Sequence, residues 1–202
     1  MRVGGLQLLS SLAVFSPRPA VHRLPSPICD AASLADIDEP KLESDCSFDF
    51  VPLLTALKTG DFLEADQLTR DGLIKLAGEA AVKRGFVYFG EVPNLPAKDL
   101  ATIERLWLAY SDGKFGYTVQ AEILKTKRVG GDLEKLYDRI GWKNEDGSLR
   151  RWLPDKGNEF IYDLEKAPAG HLPLTNTLRG TLLLSKLLEH SVWESDEFSG
   201  DK

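Results

Sequence analysis

The chain has 202 residues, of which 43% are hydrophobic and 28% are charged, and its formal net charge is −6 at pH 7. These values are typical of a globular protein with a core of ordinary size, and the acidic balance argues against general binding of nucleic acid. No apolar run reaches the roughly 18 residues that a membrane-spanning helix needs, two cysteines exclude a disulfide-built scaffold, and the three widely spaced histidines show no metal-binding pattern.

Residues 1–47 precede the predicted helical domain, and their charge changes sign along their length. Residues 1–29 contain no Asp or Glu and carry arginines among scattered serines, a composition typical of a targeting leader. The apolar run 6–15 leaves a secretory signal open, and an N-terminal tail without a targeting role is the remaining alternative. Residues 30–47 are acidic and predict a polar linker that does not pack against the domain.

The domain is predicted to span residues 48–190 and to be helical from its start. Apolar residues three or four positions apart predict helices in its first part, over residues 50–57, 61–77 and 80–85. Asp61 followed by Glu64 has the spacing of a capping box, which satisfies free amide groups at a helix start. A short aromatic stretch, Phe86–Phe89, follows the third helix.

The centre of the domain is predicted to be a helical hairpin within residues 99–142. Its first helix has apolar side chains at helical spacing and ends at residues 111–113, where a glycine suits a left-handed cap. A second helix follows through Gln120, after a short turn that carries aromatic residues. A third helix begins at an Asp132 cap and ends before Trp142.

The C-terminal part of the chain is predicted to be less regular until its last helix. Residues 151–153 and 160–162 are short apolar runs that predict an extended loop or a small ribbon. Two prolines and one glycine within residues 163–173 predict an ordered loop. A leucine-rich helix is predicted over residues 175–190, and residues 191–202 are predicted to form an acidic, flexible tail.

No arrangement of side chains predicts catalysis. The sequence has no nucleophile elbow, no glycine loop that would cradle a phosphate and no paired metal ligands. His171 lies between a glycine and a leucine with no nucleophile near it in the sequence, so we expect its ring to fix a loop by a hydrogen bond to the backbone. These observations favour a binding protein over an enzyme.

Two runs of residues carry a resemblance to a known family. The first run is DLATI at 99–103, LW at 106–107, YS at 110–111 and KFGYTVQ at 114–120, and the second is APAGHLPLTNTLRG at 167–180. They resemble the signatures of the genomes-uncoupled-4 family, whose members are tetrapyrrole-binding regulators of magnesium chelatase in oxygenic phototrophs. The resemblance covers roughly residues 48–190. The chain departs from the family pattern at Tyr117, Thr118 and Ile123-Leu124, and the last change removes a tryptophan that often follows the isoleucine.

The resemblance implies an all-α fold: a compact multi-helix domain of the cupped-hand type, with a long aromatic loop between the last helices. It implies a non-catalytic protein that binds protoporphyrin IX and Mg-protoporphyrin IX, with no metal held by protein side chains. It also implies activation of magnesium chelatase through contact with that enzyme's large porphyrin-binding subunit. The short stretch between leader and domain resembles the eukaryotic, plastid type of the family, so we interpret residues 1–29 as a plastid-targeting leader.

A porphyrin is a flat apolar plate with two propionates on one edge, so its site needs an apolar floor, aromatic walls and a cation at the rim. The residues that we expect to contact it are Leu108, Phe115, Tyr117, Gln120, Trp152, Phe160, Tyr162, Leu174 and Arg179. Arg179 is the candidate partner of a propionate, although an intramolecular carboxylate is an equal alternative for it. Each aromatic residue taken alone is more often part of a core than of a ligand wall.

Other functions remain open at this point. A binder of haem or of an open-chain bilin, acting as sensor or carrier, would share the same fold. A helical interaction module without pigment would use the same aromatic residues as its core. The resemblance also implies a location in the plastid stroma, and it leaves peripheral association with plastid membranes open.

Overall fold

A computed structural model describes residues 39–152, 159–174, 181–195 and 198. Over these residues the chain is helical and forms no β-strand, apart from one isolated antiparallel bridge between Lys143 and Leu149. The α-helices are α1 (Val51–Lys58), α2 (Phe62–Leu76), α3 (Glu79–Arg84), α4 (Ala97–Tyr110), α5 (Tyr117–Lys125), α6 (Leu133–Arg139) and α7 (Thr181–Leu188). The predicted all-α fold is confirmed.

Side-chain caps fix the starts of α2 and α6. Asp61 accepts the backbone N–H of Glu64 at 3.1 Å, and Asp132 accepts the backbone N–H of Glu134 at 2.9 Å. Both caps were predicted because aspartate before an apolar stripe satisfies amides that the first turn leaves free. The last helix, predicted from residue 175, is described from Thr181, and its first six predicted residues lie outside the described part of the chain.

The core is centred on α4, one face of which carries aromatic and aliphatic side chains. Trp107 is fully buried; its ring lies 6.1 Å from that of Phe62 and 6.3 Å from that of Phe115, centroid to centroid. The indole Nε1–H donates to Thr69 Oγ1 on α2 at 2.9 Å, so the polar edge of the ring is satisfied within the core. Helix α4 is therefore the element against which α2 and the start of α5 are placed.

A buried carboxylate from α4 caps α5. Glu104 is fully buried, and its two oxygens accept the backbone N–H groups of Tyr117 and Thr118, each at 2.8 Å. The hydroxyl of Thr118 adds a third hydrogen bond at 2.5 Å. Burial raises the pKa of Glu104 to about 6, although these three hydrogen bonds act in the opposite direction. The two helices of the hairpin are thus joined through a side chain as well as through their turn.

His171 holds the irregular segment 159–174 against α6. Its Nδ1–H donates to the carbonyl of Ile140 at 2.7 Å, because Nε2 accepts the backbone N–H of Ile161 at 2.9 Å. The carbonyl of His171 accepts the Trp142 indole N–H at 2.8 Å. The expectation that this ring fixes a loop is confirmed. Over the described residues 151–152 and 159–162 the backbone is irregular, so of the two predicted forms the loop is the one found.

The last part of the predicted linker packs on α4. Asp99 is fully buried and accepts the Ser44 hydroxyl at 2.5 Å and the Asp45 backbone N–H at 2.9 Å. Thr102 donates its hydroxyl to the carbonyl of Glu43 at 2.7 Å. The expectation that this acidic segment does not pack is therefore wrong for residues 43–45. The charge of a segment does not decide whether the segment packs, because one buried carboxylate can bind its backbone N–H and hydroxyl groups.

The start of the predicted flexible tail forms a 3₁₀ turn, Ser191–Glu194, that packs on the domain. Val192 is buried, and Trp193 donates its indole N–H to the carbonyl of Leu187 at 2.6 Å. The Trp193 ring lies 6.2 Å from that of Tyr117, at the start of α5. These contacts differ from the expected flexibility. The tail is acidic in overall composition, but its apolar residues Val192 and Trp193 pack on the domain.

Candidate functional site

Three of the predicted ligand residues meet at two charged side chains of α2. Leu174 donates its backbone N–H to Asp66 Oδ1 at 2.7 Å, and Tyr162 donates its hydroxyl to Asp66 Oδ2 at 3.4 Å. Arg70 lies one helical turn further along α2, with its guanidinium 3.3 Å from Asp66 Oδ2 and 4.3 Å from the centroid of the Trp152 ring. We call Asp66, Arg70, Trp152, Tyr162 and Leu174 the Asp66 cluster.

Asp66 is fully enclosed by protein, and this burial is the largest influence on the pKa of its carboxyl group. Burial raises the pKa of Asp66 to about 6, while Arg70, the Leu174 N–H and the Tyr162 hydroxyl all favour the charged form. Above pH 6 the carboxylate is ionised and paired with Arg70. A buried, paired and hydrogen-bonded carboxylate can anchor the segments that bind it, because releasing any one partner leaves a buried charge less well satisfied.

Trp152 and Arg70 form a stacked pair next to this carboxylate. The planar guanidinium over the indole face is a cation–π contact, which orients the ring. Two polar atoms of the pair, Trp152 Nε1 and Arg70 Nε, are buried without a hydrogen-bond partner. Both nitrogens are enclosed by protein, so in this conformation the stacked pair holds two unsatisfied donors beside the partly buried face of the indole.

Gln120, on α5, binds the second signature, and Tyr117 lies at the start of the same helix. Gln120 donates through Nε2 to the carbonyls of Gly170 and Pro173, at 2.9 and 3.0 Å. Its Oε1 and the Tyr117 hydroxyl are buried without a hydrogen-bond partner. Burial raises the pKa of Tyr117 well above its ordinary value, so its hydroxyl stays protonated. The two signatures are therefore in direct contact through Gln120.

Phe115 and Phe160 are packed as core residues. Phe115 is fully buried and lies edge-on to Phe62, with ring centroids 5.5 Å apart. Phe160 is also buried and lies edge-on to Trp142, with ring centroids 6.2 Å apart. In this conformation neither ring is presented to a ligand, and both support the backbone on which the neighbouring signature residues lie.

Leu108 faces a different part of the molecule. It lines an open groove of about 700 Å³ between α5 and the C-terminal turn, whose apolar walls include Val119, Leu188, Trp193 and Phe198. The Tyr117 ring lies 6.2 Å from the ring of Trp193, centroid to centroid, next to this groove. Leu108 therefore lines a groove that none of the Asp66-cluster residues lines. Arg179, the predicted rim cation, lies outside the described residues.

Asp66 and Arg70, which bring the cluster together, are not among the residues predicted for the site. A signal was present: Asp66 falls on the buried face of α2, beside Ala65 and Thr69, and Arg70 follows it by four residues. An acid on an apolar stripe with a cation one turn later predicts a buried ion pair. The described residues contain no group of three or more His, Cys, Asp or Glu side chains that could hold a metal ion.

A family model described as GUN4-like matches residues 43–191. The chain belongs to the GUN4-like family. The match contains both signature runs and every described residue of the Asp66 cluster, and it begins at the segment that packs on Asp99. The family predicted from the two runs is thus confirmed.

Relatives of this family member include a Ycf53-like protein of Synechocystis, 44% identical over 153 residues. They also include a protein of Arabidopsis thaliana named tetrapyrrole-binding protein, chloroplastic, 43% identical over 149 residues. These matches cover 75% and 70% of the present chain, but only 62% and 54% of the two relatives. The chain therefore spans a little over half the length of these relatives.

Solved structures of the family share the fold. GUN4 from Chlamydomonas reinhardtii superposes with a TM-score of 0.70 at 40% identity, over 82% of this chain and 99% of that one. The ligand-free structure of Arabidopsis thaliana GUN4 gives a TM-score of 0.65 at 40% identity, over 74% of this chain and all of that one. Both solved structures match this chain over nearly their whole length.

Proposed function

We propose that this protein binds a tetrapyrrole, without catalysing a reaction on it, and that the Asp66 cluster forms one side of the site. The observation that carries the proposal is the position of Trp152, Tyr162 and Leu174 around one buried ion pair, in a member of the GUN4-like family. Its relative from Arabidopsis is named a tetrapyrrole-binding protein, which supports the same ligand class here.

The chemistry of the cluster fits a porphyrin. Trp152 and Tyr162 are only partly buried and can offer aromatic faces, while Leu174 is buried beside them. Trp152 Nε1 is buried without a partner, and a carboxylate or carbonyl of the ligand that reached it would satisfy this donor. Arg179 follows Leu174 by five residues in the sequence, and we propose it as the cation that pairs with a propionate. The porphyrin nitrogens hold the magnesium, so the protein needs no metal ligands.

We further propose protoporphyrin IX and Mg-protoporphyrin IX as the ligands, and activation of magnesium chelatase through its large porphyrin-binding subunit as the role. The two signature runs support this role, as does the chloroplast location in the name of the Arabidopsis relative. We also propose a plastid location for this chain, with peripheral association with plastid membranes. A reconstituted chelatase is expected to form Mg-porphyrin faster when the full chain is added, and an unchanged rate would contradict the proposed role.

Titration of the full chain with a soluble porphyrin tests the binding proposal. Trp107, Trp142, Trp152 and Trp193 supply the fluorescence, and saturable quenching is expected for the natural chain. Arg179→Ala is expected to raise the dissociation constant about tenfold, as loss of a charge-assisted hydrogen bond does. Arg128→Ala changes an exposed arginine outside the candidate set and is the matched control.

The outcomes separate the candidate functions. Equal dissociation constants for both arginine variants and the natural chain would keep the site but move the propionate contact away from Arg179. Saturable binding of haem or of a bilin, but not of the porphyrin, would indicate the sensor or carrier alternative. Absence of saturable quenching with each pigment would contradict tetrapyrrole binding and favour an interaction module.

A further inference from the structure

One residue of α2 holds segments that lie about 100 positions away in the sequence. Asp66 binds the backbone at Leu174 and the side chain of Tyr162, and it pairs with Arg70, which stacks on Trp152. Residues 153–158 follow Trp152 in the sequence, and residues 175–180, which include Arg179, follow Leu174. The same carboxylate therefore binds or pairs beside three candidate ligand residues that lie far apart in the sequence, Trp152, Tyr162 and Leu174.

We propose that Asp66 is a positioning residue, which sets the tetrapyrrole affinity by holding Trp152, Tyr162 and Leu174 in one arrangement. This inference rests on the proposed function, because it concerns the same site. Asp66 itself is fully buried and need not touch the ligand. Its effect is preorganisation: because α2 already holds the backbone at Leu174 and the side chain of Tyr162, ligand binding loses less conformational entropy in ordering them.

The backbone bond at Leu174 is the central contact in this argument. At 2.7 Å it is the shorter of the two hydrogen bonds that segment 159–174 makes to Asp66. The neighbouring carbonyls of Gly170 and Pro173 are held separately by Gln120. Loss of the carboxylate is therefore expected to release the end of this segment while its beginning and middle stay bound.

The protein contains a matched carboxylate for comparison. Asp99 is also an aspartate of an α-helix, is equally buried and also accepts one hydroxyl and one backbone N–H from a remote segment. Its partners are Ser44 and Asp45, which belong to the N-terminal segment and not to the Asp66 cluster. Asp66 also pairs with Arg70, and Asp99 also accepts the Cys46 thiol at 3.5 Å. Asp99→Asn therefore controls for altering a buried carboxylate that holds a remote segment outside the Asp66 cluster.

The test compares the full-length chain with Asp66→Asn and Asp99→Asn by porphyrin titration and by hydrogen exchange without ligand. Asp66→Asn is expected to raise the dissociation constant about tenfold and to speed exchange of the Leu174 amide at least tenfold. Asp99→Asn is expected to change affinity by less than twofold and to speed exchange only at residues 43–46. If Asp66→Asn does not fold, Arg70→Lys replaces it, since lysine keeps the charge but loses the planar contact with Trp152.

Each outcome decides a separate question. Equal losses of affinity in both asparagine variants would overturn the proposal, because the effect would then follow stability and not position. An unchanged Leu174 exchange rate in Asp66→Asn would also overturn it. If the natural chain binds no pigment, the proposed function fails, and the exchange rates still show whether Asp66 holds the end of the segment.

Discussion

Replacing Gly116 by alanine is expected to lower the free energy of unfolding by about 4 kcal/mol, the largest effect of a single methyl group that this fold predicts. A Cβ at this position would lie 2.4 Å from Glu104 Oε1 and 3.0 Å from its carboxyl carbon. The backbone of Gly116, with φ +146°, is also in a region that residues with side chains avoid. The carboxylate that caps α5 would have to move, leaving buried N–H groups unsatisfied.

Gly113→Ala is the control for this substitution. Gly113 also has a positive φ, of +67°, but an added Cβ would meet no atom within 4 Å. Its cost is therefore backbone strain alone, about 1 to 2 kcal/mol. Denaturant unfolding followed by circular dichroism measures both values. Equal losses for the two variants would mean that Glu104 moves aside at little cost and is not a fixed cap.

The second large effect is a dependence of stability on pH that originates at His171. Burial lowers the pKa of this imidazole to about 4, from an ordinary value of 6.5. Between pH 6.5 and pH 4 the unfolded chain takes up a proton that the folded protein does not. The contribution of His171 to stability is therefore complete above pH 6.5 and falls by up to about 3 kcal/mol as the pH drops to 4.

Two buried acids act in the opposite direction, so a variant is needed to isolate this effect. Burial raises the pKa of Asp66 and of Glu104 to about 6, and their unfavourable ionisation lowers stability as the pH rises from about 4 to 6. His171→Gln keeps one donor and one acceptor but does not titrate. Its stability deficit relative to the natural chain is expected to be largest at pH 7.5 and to shrink by up to about 3 kcal/mol toward pH 4.

Urea unfolding of the natural chain and His171→Gln at several pH values between 4 and 7.5 measures this difference. The carboxyl contributions are common to both proteins and cancel. A deficit that stays constant over the whole range would mean that His171 titrates alike in the folded and unfolded states, against its burial between Ile140 and Ile161.

The parts of the fold that could be predicted are those set by neighbours in the sequence. The caps Asp61 and Asp132 act on amides two or three residues away, and Gly113 allows the positive φ that ends α4. His171 could be assigned a structural role because its surroundings offered no catalytic partner. Local chemistry is visible in a sequence because both partners of each contact lie in one short window.

The parts that could not be predicted depend on contacts across the chain. Phe115 stands in a turn, and the burial of its ring beside Phe62, 53 residues earlier in the chain, is not visible from the residues around it. The position of Asp66 on the buried face of α2 indicates a buried ion pair with Arg70, but its other partners, Tyr162 and Leu174, lie 96 and 108 residues away. A helical pattern does not show which remote segments a buried acid holds.

The contact between Ser44 and Asp99 has a practical consequence for shortened forms of the protein. A fragment that begins at residue 48, where apolar periodicity starts, would remove the hydroxyl and the N–H that this carboxylate accepts. Asp99 would then be an unsatisfied acid at the surface of α4, uncovered by the chain that normally shields it. The boundary for recombinant expression, and for any proteolytic trimming that preserves the domain, therefore lies before residue 43.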